Sequence, residues 1–282
     1  MPARKIQVLA AAGGLTLALT GAVTRAHADD FAVGASPARF ELSAKPGTVV
    51  RGVLEIDNAA PSAATYAMKT ADWTLDQNAG AQFSEALAPR SCRPWVAIER
   101  HEVQVPGHGA YRFRFEVRAP ADAPRGECRF AILIEGREQR VKTKSGVVVP
   151  VSGRLGVIVY LEVGDAHPDL AVVGGVIAKV NGESTPMLRV KNSGDAHGRM
   201  AGFLSGVDAK GARIELTPAS LPILPGEVRL IPLVVDRPDK GPAIHIAYPI
   251  TIRGKLSWPG GSAEISQPFA PSWPPGVIAS SK

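Results

Sequence analysis

The sequence has few of the residues on which most catalytic and metal sites depend. It contains two cysteines and six histidines, and the histidines are scattered along the chain. It has no GxSxG, HExxH or Walker motif, and no GxGxxG between a strand and a helix, so the common hydrolase, metalloprotease and nucleotide-binding signatures are missing. We therefore expect a protein with no enzymatic activity, no cofactor and no metal.

Long amphipathic helices are also missing after the first 28 residues. Aromatic residues make up only 6% of the chain, and 29 glycines and 24 prolines are spread widely through it. This composition is typical of short strands joined by many turns, and it excludes collagen, coiled coils and bulk disorder. The predicted fold class is all-β.

The N-terminus has the three parts of a secretory signal peptide. Arg4 and Lys5 precede an apolar run over residues 6–23, and Ala26-His27-Ala28 supplies a small-x-small ending. We predict cleavage after Ala28 and export of the mature chain. The alternative is a membrane anchor, since about 18 apolar residues come near the length that spans a bilayer. No later segment has such a run, so no stable membrane insertion of the mature chain is expected.

The charge of the chain points to no polyanionic partner. The formal net charge is +6, and half of it lies on Arg4, Lys5 and Arg25 in the predicted signal peptide. No dense Lys/Arg block remains in the mature chain, so no nucleic-acid partner is expected. The basic stretch Arg137–Lys144 is interpreted as a solvated loop.

The strand pattern falls into two blocks. Residues 29–164 contain about seven short alternating or apolar segments, the number expected of an immunoglobulin-like sandwich. Asp165–Asp169 interrupts the pattern like a linker, and residues 165–266 form a second strand-rich block. Residues 267–282 are rich in proline and are predicted to be a loose tail. The predicted architecture is two tandem immunoglobulin-like β-sandwich domains.

The second block repeats the first in abbreviated form. Val53–Asn58 resembles Met187–Asn192, since each is a strand that ends in asparagine before a turn. Val105-Pro106-Gly107 precedes an alternating strand, and Leu224-Pro225-Gly226 does the same in the second block. The order is the same in both, which supports two related sandwiches.

The two cysteines are predicted to form a disulfide. Cys92 precedes the strand Trp95–Glu99, and Cys128 follows the loop after the strand Tyr111–Val117. If these two strands form an antiparallel hairpin, the two thiols meet at one end of the sheet. In the oxidising environment that exported proteins enter, such a pair of cysteines is expected to form a disulfide.

The end of the first block has an unusually long apolar row. Odd-numbered positions are apolar from Val147 to Val163 except at Gly153, and they are predicted to form one long final strand. Pro150 cannot donate a ladder hydrogen bond, which places this part of the strand at an edge or bulge. One interpretation is an edge that receives a strand from another chain. The other is that the valines face the core of their own domain and Pro150 marks a kink.

Several motifs of the first block are similar to those of the periplasmic pilus-assembly chaperones. They are the opening Ser36–Phe40, the second strand Val53–Asn58, Trp95, the turn Val105–Gly107, and the loop Pro120–Glu127 before the strand Cys128–Glu135. The resemblance implies two immunoglobulin-like domains joined at an angle, and a chaperone that caps pilus or fimbrial subunits by donor-strand complementation.

The resemblance also implies site residues and partners. Val147, Val149 and Val151 would be the donor row that fills the groove of an incomplete subunit. Arg39 and Arg154 match the two basic positions that anchor the C-terminal carboxylate of the subunit, which needs charge-assisted bonds when it leaves water. The expected partners are a pilus or fimbrial subunit and an outer-membrane usher.

Two other functions remain open from the residues. The sandwiches could be rigid modules of an exported adhesion or scaffold protein that binds through its loops. The other hypothesis is a periplasmic enzyme or metal carrier. Glu99 and His101 share one strand face and could both bind a metal ion, but the sequence offers no third ligand beside them.

Overall fold

The computed structural model describes residues 31–76, 79–89, 91–142, 145–236 and 244–271. The predicted signal peptide, residues 1–28, lies outside this range. A 3₁₀ turn over Arg93–Trp95 is the only helical element of the described residues. None of the described helical structure has the length and hydropathy to cross a bilayer. The all-β prediction is confirmed.

Strands β1 to β12 make up the first domain. Their bounds are β1 Val33–Ser36, β2 Arg39–Ala44, β3 Val49–Asn58, β4 Ala64–Leu75, β5 Ala81–Ser84, β6 Val96–Ile98, β7 Glu102–Val105, β8 Ala110–Arg118, β9 Gly126–Gly136, β10 Gln139–Lys142, β11 Val148–Val151 and β12 Arg154–Val163. One sheet has the order β1-β3-β8-β6, and the facing sheet has the order β2-β12-β9-β4-β5 with β7 also paired to β4. The segment β1–β2 contributes to both sheets, and it changes sheet at the cis Ser36–Pro37 bond.

The core of this domain follows from the alternation of its strands. Residues of one parity on β3, β8, β9 and β12 point between the two sheets, because successive side chains of a strand face opposite sides. Among the fully buried side chains are Leu54, Phe113, Ile132, Val159 and Leu161. Burial of each such side chain stabilises the fold by about 1.5–3 kcal/mol.

Strands β13 to β19 make up the second domain. Their bounds are β13 Leu170–Val180, β14 Glu183–Asn192, β15 Leu204–Val207, β16 Arg213–Pro218, β17 Val228–Val235, β18 Ile250–Trp258 and β19 Gly261–Phe269. They form one path in the order β13-β14-β17-β16-β15-β18-β19, folded around a second core. Two tandem sandwich domains are therefore confirmed.

The residues of one turn in this domain explain its conformation, and the last strand ends later than predicted. Asn181 and Gly182 both have positive φ, which suits the two-residue hairpin between β13 and β14. Strand β19 continues to Phe269, three residues into the segment predicted to be a loose tail. Residues 272–282 lie outside the described range.

The disulfide between Cys92 and Cys128 is present, with Cα atoms 6.0 Å apart. Cys92 lies just before the 3₁₀ turn that leads into β6, and Cys128 lies on β9 of the facing sheet. The bridge therefore ties the two sheets of the first domain together.

Two predictions about the end of the first domain are wrong. The long final strand is broken at Ser152–Gly153 into β11 and β12, at the point where Phe31 packs against Gly153. The basic stretch interpreted as a loop contains β10, which pairs with β11. A short strand of mostly polar residues shows no apolar alternation, so the sequence pattern there resembled a loop.

Candidate functional site

The candidate site begins at a two-stranded ribbon that extends from the first domain. Strands β9 and β12 pair from Gly126↔Val163 to Glu135↔Arg154, and the same two chain segments pair again as β10 and β11. On its other side β12 is joined by β2, but only from Ile158 onward. The edge from Val148 to Val157 thus has no strand partner among the described residues.

The outer part of this edge is apolar and exposed. Val147, Val148 and Val151 are 57%, 55% and 50% exposed, and Val149 is half-buried. The exposed fractions show that neither parity of the segment faces a core of its own. For these positions the structure favours the edge interpretation over the core interpretation.

The later part of the same apolar row is buried instead of exposed. Val157, Val159, Leu161 and Val163 are fully buried in the core of the first domain. The odd-numbered apolar row predicted from the sequence is therefore half core and half exposed edge. The break in the strand at Ser152–Gly153 separates the two halves.

Arg39 and Arg154 lie on the same outer face of the sheet, but at different points along it. In the parallel register of β2 and β12, Arg39 lies beside Ile158. Arg154 lies four residues earlier on β12, about 13 Å along the strand. Its Nη2 contacts Glu135 Oε1 at 2.6 Å and Glu85 Oε1 at 3.2 Å. The structure therefore does not bring the two predicted anchor residues into one contact.

Arg39 instead meets a basic residue of the second domain through a shared carboxylate. Arg39 Nε lies 2.8 Å from Glu41 Oε1, and Arg199 Nη1 lies 2.9 Å from the same oxygen. Glu41 lies beside Tyr160 in the β2–β12 register, so this charge cluster sits directly on the outer face of the sheet. It forms part of the contact between the domains.

His197 is the buried centre of this contact. Its backbone N–H donates to Glu127 Oε2 at 2.7 Å, and its Nδ1 is hydrogen-bonded to the same oxygen. Its Nε2 lies 2.8 Å from Arg199 Nη1, and its ring stacks on Tyr160 with centroids 3.7 Å apart. Because a guanidinium can only donate, Nε2 is the acceptor and Nδ1 carries the proton.

Two further contacts join the domains. Leu224 of the second domain packs against the apolar cluster that Trp73, Leu133 and Tyr160 form on the outer face of the sheet. Arg229 Nη1 donates to the backbone carbonyl of Asp76 at 3.3 Å.

The electrostatic environment shifts three acids of this contact. Burial alone would raise the pKa of Glu41, but the hydrogen bond from Arg39 and the charge of Arg199 hold it below its ordinary value. Burial raises the pKa of Glu162, and the Glu127 carboxylate adds to the rise. Burial also raises the pKa of the Tyr160 hydroxyl.

Sequence reasoning found Arg39 but missed the group formed by Glu127, Tyr160, His197 and Arg199. These residues come from β9, from β12 and from the segment before β15, and no short spacing relates them. The only signal available was the position of His197 and Arg199 in the sequence, shortly after the turn predicted to follow Asn192 and close to the predicted linker.

The described residues contain no group of three or more His, Cys, Asp and Glu side chains placed to hold a metal ion. Glu99, proposed with His101 as an incomplete ligand pair, is engaged by other groups. Its carboxylate accepts a 2.8 Å hydrogen bond from the Tyr111 hydroxyl and lies 3.6 Å from Arg114.

Comparisons with known proteins give structural neighbours only. No family model matches the chain, and no curated protein matches it. A chaperone–tip adhesin complex of CFA/I fimbriae biogenesis has a TM-score of 0.46 and 9% identity, covering 85% of this chain and 99% of that one. The Pseudomonas aeruginosa CupB2 chaperone has a TM-score of 0.43 and 11% identity, covering 84% and 100%. The Salmonella enterica SafA pilin–SafB chaperone complex has a TM-score of 0.43 and 14% identity, covering 85% and 95%.

Proposed function

We propose that this protein is a periplasmic chaperone that captures a pilus or fimbrial subunit by donor-strand complementation. The observation that carries the proposal is the unpartnered edge from Val148 to Val157, with exposed valines at its outer end. A sheet edge of this kind is a template for pairing with another chain. The motifs shared with pilus-assembly chaperones support the same function.

The donor row in this proposal is Val147, Val149 and Val151. Each valine that enters a groove of the subunit contributes about 1.5–3 kcal/mol of apolar burial before the entropic costs of association. The main chain of β11 and of the first half of β12 adds ladder hydrogen bonds along the same edge. Pro150 supplies no donor, so pairing at that point relies on its neighbours.

Several finer points belong to the proposal. Arg39 and Arg154 would hold the C-terminal carboxylate of the subunit, and an outer-membrane usher would be the second partner. The predicted signal peptide supports a periplasmic location for the chain. The protein would need neither catalytic residues nor a cofactor, because the free energy comes from burial and pairing.

The test is capture of a secreted subunit in the cell. The protein is co-expressed with candidate subunits in the periplasm, and a one-to-one complex is isolated and measured. Val149→Asp places a charge in the donor row and is expected to abolish the complex, because an unpaired carboxylate cannot enter an apolar groove. The matched control is Val207→Asp, which alters an exposed valine of the second domain and is expected to leave the complex intact.

The binding of Val149→Asp also distinguishes this function from that of an adhesion or scaffold protein. Thermal unfolding of both variants establishes that they are folded. A partner that binds Val149→Asp as tightly as the unaltered protein would bind through other surfaces, and that result would overturn donor-strand capture.

A further inference from the structure

The apolar row at the end of the first domain has one gap, and a residue from the start of the domain fills it. Odd-numbered positions from Val147 to Val163 are apolar except at Gly153. The ring of Phe31 lies so close to Gly153 that a Cβ added there would overlap the ring carbons. An aromatic ring from the N-terminal segment therefore takes the place of the side chain that the row lacks.

Two glycines make the room for this ring. Gly136, at the end of β9, donates its N–H to the carbonyl oxygen of Gly153 at 3.0 Å, and a Cβ added to Gly136 would lie 2.7 Å from Phe31 Cδ2. Neither glycine has a positive φ, so the backbone conformation of both allows a side chain. The space that the ring needs therefore explains glycine at both positions. The fully buried Tyr66 packs edge-to-face on Phe31, with ring centroids 6.3 Å apart.

The ring lies at the root of the ribbon, where the ladder between its strands is irregular. The hydrogen bond between Gly136 and Gly153 extends the β9–β12 ladder by one pair, and pairing resumes at Gln139 and Val151. Two residues of one strand thus lie opposite one residue of the other, as in a β-bulge. Because a bulge changes the direction of its strand, the ladder alone does not fix the ribbon relative to the sandwich.

The backbone of the N-terminal segment is fixed by the facing sheet. The carbonyl oxygen of Ala32 accepts a 2.8 Å hydrogen bond from the Ala59 N–H, and β1, which begins at Val33, pairs with β3. The ring of Phe31 packs against strands of the other sheet, to which the ribbon belongs. Phe31 thus joins the root of the ribbon to the sheet on the opposite side of the core.

We propose that Phe31 is a positioning residue of the capture edge, and that its ring holds the ribbon of β10 and β11 in the orientation in which it pairs with an extended polypeptide. The inference rests on the proposed function and deepens it, because the exposed valines of the donor row lie on this ribbon. A ribbon that is already oriented loses less conformational entropy when it binds, so the ring strengthens binding without contacting the polypeptide.

Hydrogen exchange of the full chain without a ligand tests whether Phe31 holds the ribbon. Phe31→Ala removes the ring, and the backbone amides of β10 and β11 are expected to exchange about tenfold faster. Phe31→Leu keeps a large apolar side chain and is expected to preserve most of the protection. The matched control is Phe40→Ala, which removes another half-buried ring, packed edge-to-face on Phe115 at 5.1 Å. It is expected to leave exchange of the ribbon amides unchanged.

A second variant tests whether the ring and the missing side chain share one space. Gly153→Val alone is expected to displace the ring of Phe31 and to loosen the ribbon as Phe31→Ala does. In the double variant the valine occupies the space that the ring has left, so the protection of the ribbon amides is expected to return towards that of the unaltered chain. Effects of the two substitutions that simply add would overturn the shared space and the proposal with it.

Binding of a peptide connects the ribbon to the proposed function. A short soluble peptide with valine at alternate positions is titrated against the unaltered chain and each variant. Phe31→Ala is expected to bind it about tenfold more weakly than the unaltered chain, because its ribbon must be ordered on binding. Phe31→Leu and Phe40→Ala are expected to bind it like the unaltered chain.

The outcomes separate the two proposals. Ribbon amides that exchange equally fast in Phe31→Ala and in the unaltered chain would overturn the positioning role and leave strand capture standing. Faster exchange with unchanged peptide binding would also overturn that role, since the orientation of the ribbon would then not matter for capture. If the unaltered chain binds no peptide, strand capture is overturned, and the exchange measurement alone decides whether Phe31 holds the ribbon.

Discussion

Asn58 and Asn192 make the same hydrogen bond at the same place in the two domains. Each side-chain amide donates to the carbonyl oxygen four residues ahead, Ser62 for Asn58 and Ala196 for Asn192, at 2.8 Å in both cases. Each Oδ1 accepts from the backbone N–H two residues ahead. Both asparagines are almost completely buried.

The two asparagines also bind the second repeated motif, the Pro-Gly turn, in each domain. Asn58 Nδ2 lies 3.3 Å from the carbonyl oxygen of Val105, just before Pro106-Gly107. Asn192 Nδ2 lies 2.9 Å from the carbonyl oxygen of Ile223, just before Leu224-Pro225-Gly226. The two pairs of motifs that the sequence repeats are therefore in contact in both domains, which explains why they recur in the same order.

The first prediction concerns this contact in the second domain. Asn192→Ala removes the donor to two buried carbonyl groups and the acceptor for Gly194, so buried polar groups are left without partners. We expect a loss of about 2–4 kcal/mol in the free energy of unfolding of that domain. Urea unfolding followed by hydrogen exchange measures it and assigns it to residues 170–269.

Asn192→Asp separates the two roles of the amide. It retains an acceptor for Gly194 but loses both donors, so most of the loss is expected to remain. A variant as stable as the unaltered chain would show that the donated hydrogen bonds contribute little.

The second prediction concerns the disulfide. Cys92 and Cys128 are 36 residues apart, and closing a loop of this size stabilises the native state by about 3–4 kcal/mol in the entropy model. A Cys92→Ala/Cys128→Ala variant is expected to lose about this much in the unfolding of the first domain and nothing in the second. The unaltered chain in reductant is expected to match the variant, and the variant is expected to show no response to reductant.

The sequence predicted those parts of the fold that repeat with a regular period. Strands such as Val53–Asn58 alternate between apolar and polar residues because one face is buried. Their period, their turn residues and their apolar content therefore all indicate the same strand. The disulfide was also predictable, since strand order brings its two ends together. The ribbon formed by β10 and β11 was not predictable, because β10 is mostly polar and has no period from which a strand can be recognised.

The site was less predictable than the fold. Arg39 could be found because it belongs to a motif at the start of a strand. Arg199 and His197 gave no signal of their own, since their importance depends on how the second domain packs against Tyr160. That packing arises from tertiary contacts between single residues far apart in sequence, which no local pattern records.

The third prediction concerns pH and the contact at the linker. Asp195 accepts a 2.8 Å hydrogen bond from the His167 N–H and pairs with Arg125 at 2.7 Å. Burial would raise the pKa of Asp195, but these two groups lower it below its ordinary value of 3.8. A lowered carboxylate pKa means that the stabilisation is present above pH 4 and is lost as the pH falls through the folded-state pKa.

Thermal unfolding at a series of pH values tests this contact. Asp195→Asn keeps the acceptor for His167 but cannot pair with Arg125. Its melting temperature is expected to lie below that of the unaltered chain at pH 6 and to approach it at pH 3. A difference that stays constant with pH would exclude the Asp195 charge as its cause.

The fourth prediction concerns Gly156, on the inner part of the free edge. The ring of Phe83, from β5, lies so close over Gly156 that an added Cβ would overlap it. Gly156→Ala is therefore expected to displace the ring and to lower the free energy of unfolding by about 1–3 kcal/mol.

A double-mutant cycle tests whether the displaced ring is the cause. With Phe83→Ala already in place, Gly156→Ala has no ring to displace, and its cost is expected to fall close to zero. The backbone of residue 156 keeps its place in β12 in both backgrounds, so the edge itself is not altered. If Gly156→Ala costs the same in both backgrounds, the overlap with Phe83 does not explain why glycine occupies this position, and the backbone of β12 itself must require it.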